Sequence, residues 1–152
     1  MTPATINKRI IADRLDWIDK MVEEINALPL KNYEAFMEDR RNVWAAESCL
    51  RRALEALFDV GRHFLAKGFG KGVSEYKEIS EELQKKKVLR RDEAILLRTL
   101  AGYRNRLVHF YHEVTAQELY RICRDELGDV LTLKEAYLVW IKENPNLIDE
   151  TL

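Results

Sequence analysis

Residues 103–111, with the sequence YRNRLVHFY, place two arginines, an asparagine, a histidine and three aromatic side chains within nine positions. Histidine titrates near neutral pH, so His109 could take a proton from a ribose 2′-hydroxyl or return one to a leaving oxygen. Arg104 keeps its charge and offers a planar fork of donors to phosphate oxygens. The amide of Asn105 could orient the imidazole or hydrogen-bond a phosphate. Together these groups could cleave RNA without a metal ion, although a capped helix end with a structural histidine fits the same pattern.

Such chemistry requires that the side chains meet at one end of a helix. At about 100° per residue, Asn105 and His109 share a face because they are one turn apart. Arg104 and Tyr111, seven residues apart, share another face, and the long guanidinium of Arg104 can extend towards His109. Three apolar residues would anchor the helix to a core: Leu100, Leu107 and Val108. The polar groups are therefore expected to converge at the C-terminal end of a firmly packed helix.

Three other features contain residue types that can bind ligands. Asp59 and His63 are one helical turn apart, which favours a hydrogen bond between them and, secondarily, a role in a site. His109 and His112 are three residues apart, but no further ligand follows at a suitable spacing, so no metal site is predicted. The glycines of GFGKGVS match no phosphate-binding motif and follow no strand, so they predict a loop that connects two helices.

The two cysteines, Cys49 and Cys123, lie within amphipathic segments, and neither belongs to a CxxC motif. We expect reduced, partly buried thiols rather than a disulfide or a nucleophile. The cysteines therefore add nothing to a candidate site.

Positive charge is concentrated between residues 84 and 106, where eight basic residues stand against two acidic ones. The whole chain has 25 basic and 26 acidic residues and a net charge of −1. The overall balance argues against a protein that coats nucleic acid non-specifically, whereas the local run could attract a phosphate polymer to one end of the molecule. A solvated helix face is the simpler interpretation of the same run.

Length and composition predict a single domain over residues 1–152, with a helical and soluble character. Of the 152 residues, 47% are hydrophobic and 34% are charged, and there are only six glycines and three prolines. No apolar run approaches the roughly 18 residues of a membrane-spanning helix. Charges also interrupt the region in which a signal peptide would have its apolar core. We therefore expect a cytoplasmic protein.

Apolar residues recur at three- and four-residue steps in five segments, and no segment alternates as a half-buried strand does. Asn32 is expected to cap a short turn, and Gly128 could bend or split the last segment. The candidate N-caps of longer helices are Thr2, Asp92 and Thr115. The five segments are residues 3–28, 39–67, 74–88, 92–110 and 115–144. The predicted fold class is all-α, an up-and-down bundle of about five helices.

The segment RNRLVHFY resembles the R-x4-6-H signature of HEPN domains, in the longer form R-x4-H-x-Y that marks HepT-type toxins. Arg104, Asn105, His109 and Tyr111 all match that form. The segment AAESCLRRALEALFDVGRHFLA resembles the long second helix of the family, and YHEVTAQELYRI resembles its continuation after the motif. The order of five helices agrees as well, so the resemblance covers most of the chain.

The resemblance implies a homodimeric, metal-independent endoribonuclease that needs no cofactor and cuts RNA in a cleft between two protomers. Arg104 and His109 would be the catalytic pair, and Asn105 would support them. It also implies a toxin–antitoxin pair, in which a minimal nucleotidyltransferase (MntA) neutralises the toxin by AMPylation of Tyr111. The bulky adenylate would then block the RNA phosphate and compete for Arg104. The alternative is a non-catalytic module that holds a nucleotide, or a nucleotidyltransferase subunit, in the same cleft.

Overall fold

A computed structural model describes residues 6–109 and 114–150 of the chain. A short parallel pair, β1 (Ile6–Asn7) with β2 (Ile148–Asp149), joins the two ends of the described region. Between them lie seven α-helices: α1 (Lys8–Asn26), α2 (Tyr33–Met37), α3 (Arg40–His63), α4 (Tyr76–Lys85), α5 (Arg91–His109), α6 (Ala116–Asp125) and α7 (Leu127–Glu143). The fold is all-α, as the apolar periodicity predicts. None of the described helices combines the length and the apolar character needed to cross a membrane.

Polar side chains fix the starts of several helices. Asn32 caps α2 and Thr115 caps α6, and each accepts a hydrogen bond from the amide three residues later. Both caps are confirmed, because these short side chains satisfy amides that have no partner inside the helix. Asn7 caps α1 in the same way. The predicted cap at Thr2 lies outside the described residues.

The helix boundaries differ from the sequence prediction at several positions. α1 begins at Lys8 rather than at residue 3, since Ile6–Asn7 forms β1 and Asn7 caps the helix.

Two further differences concern the starts of α7 and α5. The predicted last helix is divided, because Glu126 leaves the helical conformation with φ −119° and ψ 4°. Gly128 therefore lies just inside α7 rather than at the break. At the start of α5, Asp92 lies in the first turn instead of preceding the helix. The Glu93 carboxylate closes this helix start by accepting a hydrogen bond from the Arg90 amide at 2.9 Å.

The glycine-rich segment connects α3 to α4, as predicted. α3 first continues as a π-helical turn over Phe64–Gly68. Gly70 then adopts φ +64°, a left-handed conformation in which glycine has no steric penalty. The Lys71 amide donates to the Leu65 carbonyl at 2.9 Å, which closes the turn.

The central helix of the fold is α3, which packs against all six other α-helices. Its buried side is aliphatic and aromatic over most of its length: Ala46, Leu50, Ala53, Leu54, Ala56, Leu57, Phe58 and Val60. Gly61 allows the closest approach, because a Cβ atom there would lie 2.9 Å from both Leu83 Cδ1 and Tyr137 Oη. Three helices thus meet at Gly61, between two charged residues of α3, Asp59 and Arg62.

Both cysteines are free thiols, as expected. Cys123 is buried, and burial raises the pKa of its thiol to about 12. Cys49 is partly buried, and desolvation raises the pKa of its thiol as well. Both groups are therefore protonated and weakly nucleophilic near neutral pH.

Candidate functional site

The last two turns of α5 carry three of the four predicted site residues. Arg104 and Asn105 are partly buried there, and His109 is exposed at the last position of the helix. Tyr111 and His112 lie outside the described residues. The structure thus places Arg104, Asn105 and His109 at one helix end, as their spacing predicts.

The guanidinium of Arg104 is held by contacts with uncharged groups. Its central carbon lies 3.9 Å from the centre of the Tyr76 ring, and its Nη1 donates a long hydrogen bond of 3.4 Å to Asn105 Oδ1. Its Nε is buried and has no hydrogen-bond acceptor among the described residues. Stacking and a neutral amide fix the group without neutralising it, so its positive charge remains available to a phosphate.

Tyr76, on α4, is the residue on which Arg104 stacks. A second cation shares its ring, since the central carbon of the Arg62 guanidinium lies 5.3 Å from the ring centre. The ring is itself fixed by Phe58, whose centroid lies 5.0 Å away with the two planes at 89°. Tyr76 therefore forms a rigid platform that holds two arginines of different helices close together.

Asp59, on α3, connects these arginines electrostatically. Its carboxylate pairs with Arg62 at 3.4 Å and with Arg14 of α1 at 3.9 Å. Burial raises the pKa of this carboxyl above its usual range, while Arg62, Arg14 and Arg104 act in the opposite direction. The positive charge of Arg104 thus also acts on the pKa of Asp59, which lies near it.

The predicted interaction between Asp59 and His63 is replaced by other contacts. His63 Nε2 accepts a hydrogen bond from the backbone N–H of Asn7 at 3.0 Å, while Asp59 pairs with arginines. Burial, and secondarily the positive charge of Lys67, lowers the pKa of His63. The imidazole therefore links β1 to α3, a long-range contact that a helical spacing of four cannot reveal.

Arg104 and His109 point in different directions from α5. Five residues of helix separate them by about 140° around the axis. Arg104 packs towards Tyr76 of α4, whereas His109 is exposed at the helix end. In a single protomer the two side chains therefore project from α5 at different angles around its axis, so a phosphate in contact with Arg104 does not face His109 of the same helix.

Half of the eight basic residues between residues 84 and 106 take part in ion pairs: Lys85, Arg90, Arg98 and Arg106. Arg98 pairs with Glu81 at 2.9 Å, Arg106 with Glu118 at 2.6 Å, and Arg90 with Glu93 at 3.3 Å. These pairs favour the simpler interpretation, a solvated and ion-paired surface. Within residues 6–109 and 114–150, no three histidine, cysteine or acidic side chains form a group that could hold a metal ion.

Sequence reasoning missed Tyr76, Arg62 and Arg14 as neighbours of the motif. Tyr76 belongs to a polar helix, SEYKEISEELQKKKV, in which a tyrosine indicates nothing beyond an amphipathic face. The two arginines lie far from residue 104 in the chain. Only the packing of α3 and α4 against α5, and of α1 against α3, brings these residues towards the motif.

Comparison with known proteins identifies a family and a fold. A family model described as "Ribonuclease HepT-like" matches residues 18–136, a range that includes all four motif residues. Among curated proteins, no sequence matches the chain.

Several solved structures are similar in fold. The tri-AMPylated HEPN toxin of Shewanella oneidensis, in complex with the MNT antitoxin, has a TM-score of 0.76 and 18% identity, over 86% of this chain and 97% of that chain. YutE, a cytosolic protein of unknown function from Bacillus subtilis, has a TM-score of 0.73 and 18% identity, over 88% of this chain and 90% of that chain. A toxin–antitoxin structure with AMP-PNP has a TM-score of 0.75 and 17% identity, over 84% and 97%. At such identities the similarity establishes the fold.

Proposed function

The chain belongs to the HepT-like ribonuclease family, and from this premise we propose that it is a metal-independent endoribonuclease acting as the toxin of a toxin–antitoxin pair. The observation that carries the proposal is the state of Arg104. Its guanidinium is immobilised by the Tyr76 ring and the Asn105 amide, two uncharged groups. An arginine held in this way is ready to bind a phosphodiester, since neither of these two contacting groups carries a charge that the phosphate would have to displace.

In the proposed mechanism, His109 moves the protons and Arg104 stabilises charge. The 2′-oxygen attacks the adjacent phosphorus as the neutral imidazole of His109 takes its proton, and the bond from phosphorus to the 5′-oxygen breaks as the resulting imidazolium gives that proton to the leaving oxygen. The products are a 2′,3′-cyclic phosphate and a 5′-hydroxyl. Acid–base catalysis by a histidine contributes roughly 10²–10⁴ in rate, and a donor such as Arg104 about 10²–10³. Asn105 acts as a positioning residue through its hydrogen bond to Arg104.

We expect the cleft to be completed by a second protomer. Ile95, Thr99 and Gly102 follow steps of four and three residues along one exposed face of α5, and Arg106 and His109 continue the same stripe. Ile95 is 57% exposed, and a Cβ atom on Gly102 would meet no atom within 4 Å. A second α5 packed on this stripe would place the His109 side chains of both protomers at the interface. Arg104 projects from the other side of α5, about 180° from Ile95, so we expect the catalytic pair to meet at the edge of this interface rather than within the stripe.

The dimer is tested by Ile95→Glu, which places a charge in the middle of the proposed interface. We expect light scattering to give the protomer mass of 17.9 kDa for this variant, and cleavage to be lost with the dimer. Leu131→Glu on α7 is the matched control, because Leu131 is 39% exposed but lies on another helix. A dimeric Ile95→Glu protein that still cleaves RNA would contradict this arrangement.

The ribonuclease activity is tested with single-stranded RNA in EDTA, using wild type, His109→Ala and Arg104→Ala. The intact mass of each sample is measured first, so that an adenylylated protein is not mistaken for an inactive one. We expect wild type to cleave RNA and both variants to lose at least about 10²-fold in rate while remaining folded. If unmodified wild type cleaves none of a panel of RNAs, the non-catalytic module that binds a nucleotide or a nucleotidyltransferase becomes the better interpretation.

We further propose that a minimal nucleotidyltransferase of the MntA type is the partner and that it modifies Tyr111. The similar structures include a tri-AMPylated toxin bound to an MNT antitoxin. In the reaction, the tyrosine oxygen attacks the α-phosphorus of ATP, its proton is lost, and pyrophosphate leaves. The test incubates the chain with the nucleotidyltransferase and ATP, and follows intact mass and cleavage. We expect mass increments of one AMP and loss of cleavage in wild type, and no first increment in Tyr111→Phe.

A further inference from the structure

Two adjoining concavities run along the surface between α1 and α3, and together we call them the arginine groove. One has a volume of about 360 Å³ and the other about 300 Å³. They share Arg14 and Asp59, so one continues into the other. The side chains that define the groove are Arg14, Trp17, Arg51, Arg52, Asp59 and Arg62.

The groove ends beside the candidate catalytic arginine. Arg62, at this end, contacts the same Tyr76 ring on which Arg104 stacks, with ring-centre distances of 5.3 Å and 3.9 Å. Asp59 lines both concavities, and the positive charge of Arg104 acts to lower the pKa of its carboxyl. A chain of phosphates that reached Arg104 could therefore continue into the groove without crossing the hydrophobic core.

The charges of the groove suit a polyanion. Four arginines line it against two carboxylates, Glu55 and Asp59. Arg51 pairs with Glu55 at 2.9 Å, whereas Arg52 Nε donates to the neutral hydroxyl of Ser48 at 3.1 Å. The groove thus carries a net positive charge within a chain whose total is −1. Guanidinium groups are weakly hydrated and bind phosphate through two donors, so they exchange a carboxylate for a phosphate at low cost.

An aromatic side chain among these arginines provides a surface for a base. Trp17 lines the first concavity and is 37% exposed, so part of its ring is open to a base. The Lys20 ammonium lies 5.8 Å from its ring centre and adds a cation at the same place. Proteins that bind single strands without reading sequence combine a basic groove with aromatic rings on which bases stack.

We propose that the arginine groove binds the single-stranded RNA that flanks the phosphodiester held at Arg104, with a base stacked on Trp17 and phosphates on Arg51 and Arg52. The proposal rests on the proposed ribonuclease function and extends it, because it assigns a second set of contacts to the substrate strand. The groove strengthens binding of long RNA and leaves the chemical step to α5.

The first experiment measures binding of a fluorescein-labelled 12-nucleotide oligo(U) RNA by anisotropy, over a range of salt concentrations. The His109→Ala protein is the parent, so that no RNA is cut during the measurement. Adding Arg51→Gln and Arg52→Gln removes two phosphate contacts, which should lower the salt slope by about 1.4, or 0.7 for each contact. At 0.1 M salt the same loss weakens binding about 25-fold.

The matched control is the double variant Lys31→Gln and Lys142→Gln in the same parent. Both lysines are exposed and lie outside the groove, and the change in net charge is identical. We expect its dissociation constant and salt slope to stay close to those of the parent. Equal losses in the control and the groove variant would overturn the proposal, because they would show an effect of total charge alone. No detectable binding by the parent would also overturn it.

A third pair of variants tests the stacking contact separately from charge. Trp17→Ala should weaken oligo(U) binding about tenfold, whereas Trp17→Phe retains a ring and should recover most of that loss. Unchanged binding in Trp17→Ala would remove the base-stacking role. Because these are binding measurements, they remain informative if wild type cleaves no RNA. An absence of cleavage would contradict the proposed function, while the dissociation constants would still show whether the groove binds RNA.

Discussion

The arginine groove and a second depression on the described surface differ in size and in charge: the larger of the two is the less positively charged. The depression between α7 and the segment that joins α4 to α5 has a volume of about 750 Å³, larger than either part of the arginine groove. Its charged lining residues are three glutamates, Glu93, Glu135 and Glu143, and two basic residues, Lys87 and Arg90. We call it the acidic cavity, since its net charge is −1 whereas that of the groove is +2. Charge and proximity to Arg104, rather than volume, therefore favour the groove as the proposed RNA-binding surface.

The largest expected difference comes from exchanging arginine for lysine beside the groove, at Arg104, and at the acidic cavity, at Arg90. Arg104→Lys keeps the charge but loses the flat stack on Tyr76 and the fork of donors, so kcat should fall by about 10²-fold. Arg90→Lys at the acidic cavity keeps an exposed ion pair and should leave kcat unchanged. Steady-state cleavage of one RNA by both variants makes the comparison. Equal kcat values would remove the special role of the stacked guanidinium.

A larger side chain at Gly61, on α3 next to Arg62 of the groove, should have the next largest effect, on stability. In Gly61→Ala the new methyl group would press on the buried side chains of Leu83 and Tyr137, so the free energy of unfolding should fall by about 1–3 kcal/mol. Gly128 lies in the first turn of α7, the helix whose later residues line the acidic cavity. In Gly128→Ala the methyl group meets no atom within 4 Å and should change the free energy of unfolding by less than about 0.5 kcal/mol. Urea denaturation measures both. A neutral Gly61→Ala would show that α4 can move away from α3 at little cost.

A smaller effect is expected from the ring beneath Arg104. Tyr76→Leu removes the stacking surface and should lower kcat about tenfold with little change in KM, because the guanidinium loses its orientation rather than its charge. Tyr76→Phe retains the ring and should recover most of the activity. A purely structural role for Tyr76 predicts instead that thermal stability falls while kcat per folded protein is kept. Measuring kcat beside the melting temperature separates the two roles.

The smallest effect is a pH dependence of stability at the groove. Burial lowers the pKa of His63, so the folded state binds its proton less readily than the unfolded state. The associated stability is present above the unfolded pKa of about 6.5 and is lost as pH falls through the lower folded pKa. The melting temperature of wild type should therefore fall more between pH 7.5 and pH 5 than that of His63→Gln. Parallel curves would mean that His63 contributes no such dependence.

Local signals in the sequence predicted the helices and part of the candidate site. Asn32 and Thr115 were identified as caps because a cap depends on amides only three residues away. The last segment is split, as Gly128 allows, but the break lies two residues earlier, at Glu126, because the packing of α6 and α7 on different neighbours decides the boundary. Contacts between distant residues, such as that of His63 with Asn7, cannot be predicted from local spacing, because they too depend on how the helices pack.

The sequence by itself determined the all-α class and the presence of Arg104, Asn105 and His109 at one helix end, since both follow from helical periodicity within a short segment. Only the tertiary structure decided what surrounds these residues. Tyr76 and Arg62 reach Arg104 because α3 and α4 pack against α5, and the arginine groove exists because α1 lies along α3. Such contacts join residues that are far apart in the chain. Their positions are fixed by the burial of apolar faces. The pattern of apolar residues does not indicate which polar residues that burial will bring together.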